Sequence, residues 1–188
     1  TGAVTLTNNG SDAKTVTLNG GSFTFTPQNY GSSYAVAATG PVGQTCVVTN
    51  GTGSNLMANV ISVIVTCSTS KYTVGGTVTG NTGSVLLTNN GTDTKIVPSG
   101  GGSFTFTAQY YHTNYAVAAI APLGQTCLVS NGSGTMGDAN VTGVNVTCSA
   151  VTYTIGGTVT GLSGTLTLSL NGGAQTRTLV ASGFTASG

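Results

Sequence analysis

Apolar residues alternate with Thr, Ser and Asn in short stretches along the whole chain, and Gly- and Asn-rich breaks separate the stretches. Alternation with a period of two puts every second side chain on one face, so the pattern predicts half-buried β-strands. Residues 72–79 alternate in this way. Val85 and Leu87 share a face, as do Phe104 and Phe106, then Tyr115, Val117 and Ala119, then Cys127 and Val129, then Val144, Val146 and Cys148. A short strand is expected near 95–97. Asn89-Asn90-Gly91, Gly100-Gly101-Gly102, Pro122-Leu123-Gly124 and Asn131-Gly132-Ser133-Gly134 supply the turns, because Asn and Gly accept a positive φ and Pro presets its own. Gly75-Gly76 falls inside the first stretch and predicts a bulge or bend. No stretch has helical periodicity. About seven short strands with closely spaced turns predict an all-β fold, an antiparallel β-sandwich of immunoglobulin-like type.

The pattern also recurs. Tyr72-Thr-Val-Gly-Gly-Thr-Val-Thr-Gly80 returns as Tyr153-Thr-Ile-Gly-Gly-Thr-Val-Thr-Gly161, and Cys46 and Cys67 return as Cys127 and Cys148, in each case 81 residues on. A fixed period of this size marks one folded unit used in series. It divides the chain into a first repeat over 1–70 without its opening strand, a complete second repeat over 71–150, and a partial third over 151–188. A solenoid is the rival architecture, but its units are shorter. The joint Ser149-Ala150-Val151-Thr152 is too short for a flexible tether, so adjacent units are expected to touch and form a stiff rod. The partial repeat leaves Leu166, Leu168 and Leu170 in need of a cover. A longer parent chain is the simpler source. The other is donor-strand exchange, in which residues 153–160 of one subunit supply the strand that the first repeat lacks and the subunits join head to tail.

Charge changes the picture by its scarcity. Charged residues make up 4% of the chain: Asp12, Asp93, Asp138, Lys14, Lys71, Lys95 and Arg177, for a net charge of +1. That leaves no electrostatic footprint for nucleic acid or an anionic membrane. The longest apolar run, 60–65, is interrupted by Ser62 and is far short of a spanning helix, so no membrane span is expected; a transmembrane barrel is the weaker alternative. Without an initiator Met or a leader, the chain reads as part of a processed or longer protein. Edge strands with few lysines tolerate association with neighbouring repeats or identical subunits.

Four cysteines allow three pairings. Cys46–Cys67 and Cys127–Cys148 are favoured because each repeat then carries its own bond, worth about 3 kcal/mol per unit in the chain-entropy model. Free buried thiols are the alternative. Disulfides point to an oxidising compartment.

The Tyr-Thr-Val-Gly-Gly-Thr-Val-Thr-Gly run, the Asn-Asn-Gly turn, Ser-Phe-Thr-Phe, Tyr-Ala-Val, Gly-Gln-Thr-Cys and Asn-Val-Thr-Gly-Val-Asn-Val-Thr-Cys-Ser occur in order at fixed spacing. Together they resemble the tandem immunoglobulin-like repeats of large secreted proteobacterial surface and adhesin-type proteins. The resemblance covers essentially the whole chain. It implies an extracellular or cell-surface spacer, stalk or adhesive fibre, and it supplies no catalytic residues.

Chemistry-bearing residues are few. Catalysis needs convergent acids, bases or metal ligands. Here Asp12 and Asp93 occupy one repeat position in two units, and the single His, His112, has Gly31 as its counterpart. No enzyme activity, cofactor or metal site is expected. Lys14 and Lys95 lie close to Asp residues beside a turn, an unfavourable place for an isopeptide link. The Asn-Gly-Ser/Thr patterns at Asn9, Asn50, Asn90 and Asn131 read as hairpin chemistry before they read as glycan acceptors. Tyr30, Tyr110, Tyr111 and His112 form the best candidate contact site, for carbohydrate or a cell-surface protein. Their bland role is to cover one end of a sandwich or pack against the next unit. The expected function is therefore an extracellular structural filament or stalk, with an adhesin or carbohydrate-binding module as the alternative.

Overall fold

The computed structural model describes residues 2–17 and 19–180. Thr1, Leu18 and 181–188, the last stretch of the expected third repeat, lie outside the described residues. The chain is all-β and separates into two compact units, Thr1–Ala150 and Val151–Gly188.

In the first repeat β1 (Val4–Asn8), β2 (Asp12–Val16), β3 (Tyr34–Thr39) and β5 (Thr52–Gly53) make a four-stranded sheet in the order β2-β1-β3-β5, while β4 (Gln44–Thr49) and β6 (Ile64–Thr69) pair with each other. The second repeat adds β7 (Lys71–Tyr72), β8 (Val74–Thr79), β9 (Val85–Asn89), β10 (Asp93–Val97), β11 (Gly102–Thr105), β12 (Gln109–Tyr110), β13 (Asn114–Ile120), β14 (Gln125–Ser130), β15 (Ser133–Thr135) and β16 (Val141–Ala150). Two four-stranded sheets, β10-β9-β13-β15 and β11-β8-β16-β14, face each other as a sandwich, and β7 pairs with β12 at one end. The alternating pattern explains the packing: Val85, Leu87 and Val97 of one sheet meet Val74, Val78, Phe104, Val144 and Val146 of the other, with Phe106 and Met136 also in this core.

Three details refine the expectations from sequence. The strand expected over 72–79 is two strands, since β7 bonds to β12 and β8 to β11 and β16. One pair in the sandwich is parallel, β8 with β16. The irregularity predicted at Gly75-Gly76 lies on the partner, where the register shifts between Val141 and Val144. The glycines answer a different need. A Cβ on Gly76 would fall 1.7 Å from the Val144 carbonyl oxygen, and one on Gly75 would fall 2.5 Å from that of Phe104. Only a residue without a side chain lets β8 lie this close between its neighbours.

The first and second repeats carry one disulfide each, Cys46–Cys67 and Cys127–Cys148, each closing a separation of 21 residues. The cysteines face each other directly across the β4–β6 and β14–β16 ladders, so the bond staples strands of one sheet. The single carboxylates have matching structural work: Asp12 accepts a bond from the Thr26 amide at 2.6 Å and Asp93 from the Thr107 amide at 2.7 Å.

In the second compact unit β17 (Thr165–Leu170) and β18 (Gln175–Val180) form a hairpin. Its turn spans residues 171–174, one residue longer than the 90–92 turn of the second repeat, so the period slips here. Leu168 and Leu170 are exposed.

Candidate functional site

Two features of the first unit stand out, the joint between the repeats and an open groove in the first repeat. The joint is built on Ser70, between β6 and β7. Its amide donates to the Gly43 carbonyl at 2.9 Å, its hydroxyl lies 2.9 Å from that of Thr45, and its carbonyl accepts from the Tyr111 amide at 2.9 Å. A single linker residue thus bonds to a turn of the first repeat and a loop of the second. The Tyr111 ring lies flat on Gly43, where a Cβ would fall 2.1 Å from Tyr111 Cδ1. Gly43 also has φ +77°, so glycine is needed there for conformation and for space. Its counterpart Gly124 has the same φ of +77°, with nothing near its missing side chain.

The other tyrosines of the candidate loop have separate fates. Tyr110 is half exposed, with Lys71 Nζ 4.4 Å above its ring, an exposed cation–π contact. His112 stands edge-on to Tyr111 and holds φ +68°, and its counterpart Gly31 holds φ +79°. That position requires a left-handed backbone, which explains the Gly/His exchange between repeats. Tyr30, the counterpart of Tyr111, is 80% exposed. The structure therefore groups Tyr110, Tyr111 and His112 at one end of the second repeat and leaves Tyr30 at the equivalent end of the first.

The groove has a clear cause. In the second repeat β8 fills the space between β11 and β16, and Val144 and Val146 are completely buried. In the first repeat no described strand stands between residues 21–24 and 60–66. Two adjoining cavities of about 870 and 610 Å³ occupy that position and share Gly21, Phe23 and Val63. Val63, Val65, Phe23 and Phe25 are only half-buried there, although their counterparts in the second repeat are buried. Residues 22–25 and 60–63 are not in strands. Without a described strand between them, these segments have neither the cover nor the ladder bonds that β8 gives their counterparts in the second repeat.

Among the described residues no group of three or more His, Cys, Asp or Glu could hold a metal ion. Lys14 reaches Asp12 at 3.8 Å as a surface ion pair. Among the described residues no helix is long and apolar enough to cross a membrane. The two closed disulfides fit an oxidising compartment better than a reducing cytoplasm. No protein-family model matches the chain, and no curated protein matches it.

Proposed function

We propose that the chain is an extracellular structural protein, a stretch of a filament or surface stalk built from serial β-sandwiches that acts through length and stiffness. The observation that carries this reading is the joint. Ser70 is bonded on both sides, and Tyr111 caps Gly43 so closely that no side chain fits between them. Gly124 repeats the receiving half of that joint and Tyr30 the donating half, as a serial array needs. The disulfides of the first and second repeats and the scarcity of charge suit a secreted, associating chain. The resemblance to tandem immunoglobulin-like repeats of secreted proteobacterial surface proteins supports the same reading.

An adhesin or carbohydrate-binding module is the second reading. It draws on the exposed ring of Tyr30, but Tyr111, the equivalent side chain, already has a partner within the chain. Electron micrographs of native material test the proposal. Elongated particles with a regular repeat are expected, and compact single particles would overturn it. Retention on a glycan surface that is lost in Tyr30→Ala would favour the second reading.

A further inference from the structure

We propose that β14 is a lateral docking strand and that its occupant is β14 of a second copy of this chain, running antiparallel to it about a two-fold axis. Such a contact links separate chains, whereas the Ser70 joint links repeats of one chain, so it goes beyond the filament reading. An unpaired sheet edge invites another strand unless something blocks it. In the second repeat the other edges are blocked or short. β10 carries Asp93 and Lys95 on the side of buried Val97, and Asp93 accepts from the Thr107 amide at 2.7 Å. β11 has four residues and begins at Gly102, and β15 has three. β14 has six residues with no charge, Pro or Gly, and among the described residues its only strand partner is β16. The first repeat has the same arrangement: β2 carries Asp12 and Lys14, β5 has two residues, and β4 is an uncharged edge of six. The open edge therefore belongs to the repeat itself.

The cysteine pair reveals which backbone groups this edge offers. Cys127 and Cys148 lie directly opposite each other with Cα atoms 4.0 Å apart. That spacing marks a pair that exchanges no backbone bonds, since bonded pairs stand about 5.5 Å apart. The alternation along an antiparallel ladder then has Thr126, Leu128 and Ser130 bond to β16, while Cys127 and Val129 turn their N–H and C=O groups to the open side. The first repeat follows the same phase. Its Ser70 amide bonds to the Gly43 carbonyl, which leaves Cys46 and Val48 turned outward.

The strand is complementary to itself. Pairing about Leu128 sets Leu128 against Leu128, Cys127 against Val129 and Thr126 against Ser130, so like meets like on each face. The outward groups of Cys127 and Val129 then bond to each other's chain, and the two leucines meet at the close, non-bonded position. Leu128 is 71% exposed and shares its cross-strand row with Thr147 and Thr79, so the apolar member of that row stands at the open edge. In β4 the run Thr45-Cys46-Val47-Val48-Thr49 has the same symmetry about Val47, which is 62% exposed. There the Thr45 hydroxyl is engaged by that of Ser70 at 2.9 Å, whereas the counterpart of Ser70 in the next repeat is Val151, which has no hydroxyl. β14 is thus the freer of the two edges. A pair of six-residue strands buries less than the roughly 1,600 Å² of a standard interface, so the dimer is weak and depends on concentration.

The test uses the full chain with one added cysteine, mildly oxidised after both native disulfides have closed. Leu128→Cys is expected to give a linked homodimer, because residues opposite each other at the axis reach the Cβ spacing of about 3.5–4.5 Å that a disulfide needs. Thr126→Cys lies about 14 Å along the strand from its twin and should give roughly tenfold less. Mixing Thr126→Cys with Ser130→Cys should restore a linked heterodimer. Equal homodimer yields from Leu128→Cys and Thr126→Cys would overturn the antiparallel register. More heterodimer from Val47→Cys mixed with Leu128→Cys than homodimer from Leu128→Cys alone would overturn the choice of partner strand. In parallel, Leu128→Lys sets like charges opposite each other and should abolish dimerisation in analytical ultracentrifugation. Its melting should stay unchanged, because the side chain lies outside the core. Dimerisation of that variant at the wild-type level would refute the site, as would a wild type that stays monomeric at about 1 mM. Elongated native particles that never pair would refute this contact and leave the filament reading standing, whereas paired but compact particles would do the reverse.

Discussion

Substituting Gly43 and Gly124 separately by alanine isolates the energy of the joint. Both glycines have φ +77°, so both variants carry the same left-handed strain, about 1 kcal/mol. Gly124 faces open space, and Gly124→Ala should show that strain alone. At Gly43 the added Cβ would fall 2.1 Å from Tyr111 Cδ1 and 2.4 Å from Cγ. These atoms lie at the base of the ring, so the whole side chain must leave. The loss is partial burial of one aromatic, about 1 kcal/mol, plus the amide bond to Ser70, about 1 kcal/mol. Gly43→Ala should therefore cost about 2 kcal/mol more than Gly124→Ala. Because the excess falls on the contact between repeats, it should also reduce their cooperativity. Differential scanning calorimetry on both variants is the assay. One transition is expected for wild type and Gly124→Ala, and a split or broadened one for Gly43→Ala. Equal destabilisation by the two substitutions, with one sharp transition in each, would refute a joint built on this contact.

Three other outcomes follow from named contacts. Removing the second staple with Cys127→Ala and Cys148→Ala should cost about 3 kcal/mol for a separation of 21 residues, read by denaturant unfolding; no loss would mean that the sheet needs no covalent closure. Asp93→Ala removes the acceptor for the Thr107 amide and should lower stability by about 1 kcal/mol in the same assay, whereas a neutral result would mean that water replaces the carboxylate without cost. Val144→Ala should cost about 2 kcal/mol because the side chain is completely buried, and Val63→Ala about half of that because its counterpart site lies open to the groove; equal costs would contradict the open groove.

The sequence made the second repeat legible because its core follows a local rule. Val85 with Leu87, Phe104 with Phe106, and Val144 with Val146 each sit two residues apart, and all of them are buried. The shared facing of the cysteines, together with their repeat, pointed to the bonds that form. Long-range proximity was not legible. Nothing local in residues 74–79 says that β8 runs parallel to β16 and needs glycine because Val144 approaches it. The partner of Tyr111 was hidden for the same reason, since Gly43 lies in another repeat and its turn looks like any Pro-x-Gly turn. One signal was available: the paired exchange of Gly31 for His112 marks a position that tolerates a left-handed backbone, and so an ordered loop rather than a loose one.

Distance distributions between spin labels at Ala13 and Thr94, equivalent exposed positions in the first and second repeats, test most directly whether this chain is a stiff series of β-sandwiches. The account predicts one narrow distribution in wild type and a broad one in Tyr111→Ala. A wild-type distribution as broad as that of Tyr111→Ala would mean that the repeats swing freely, and the structural role proposed for them would fail.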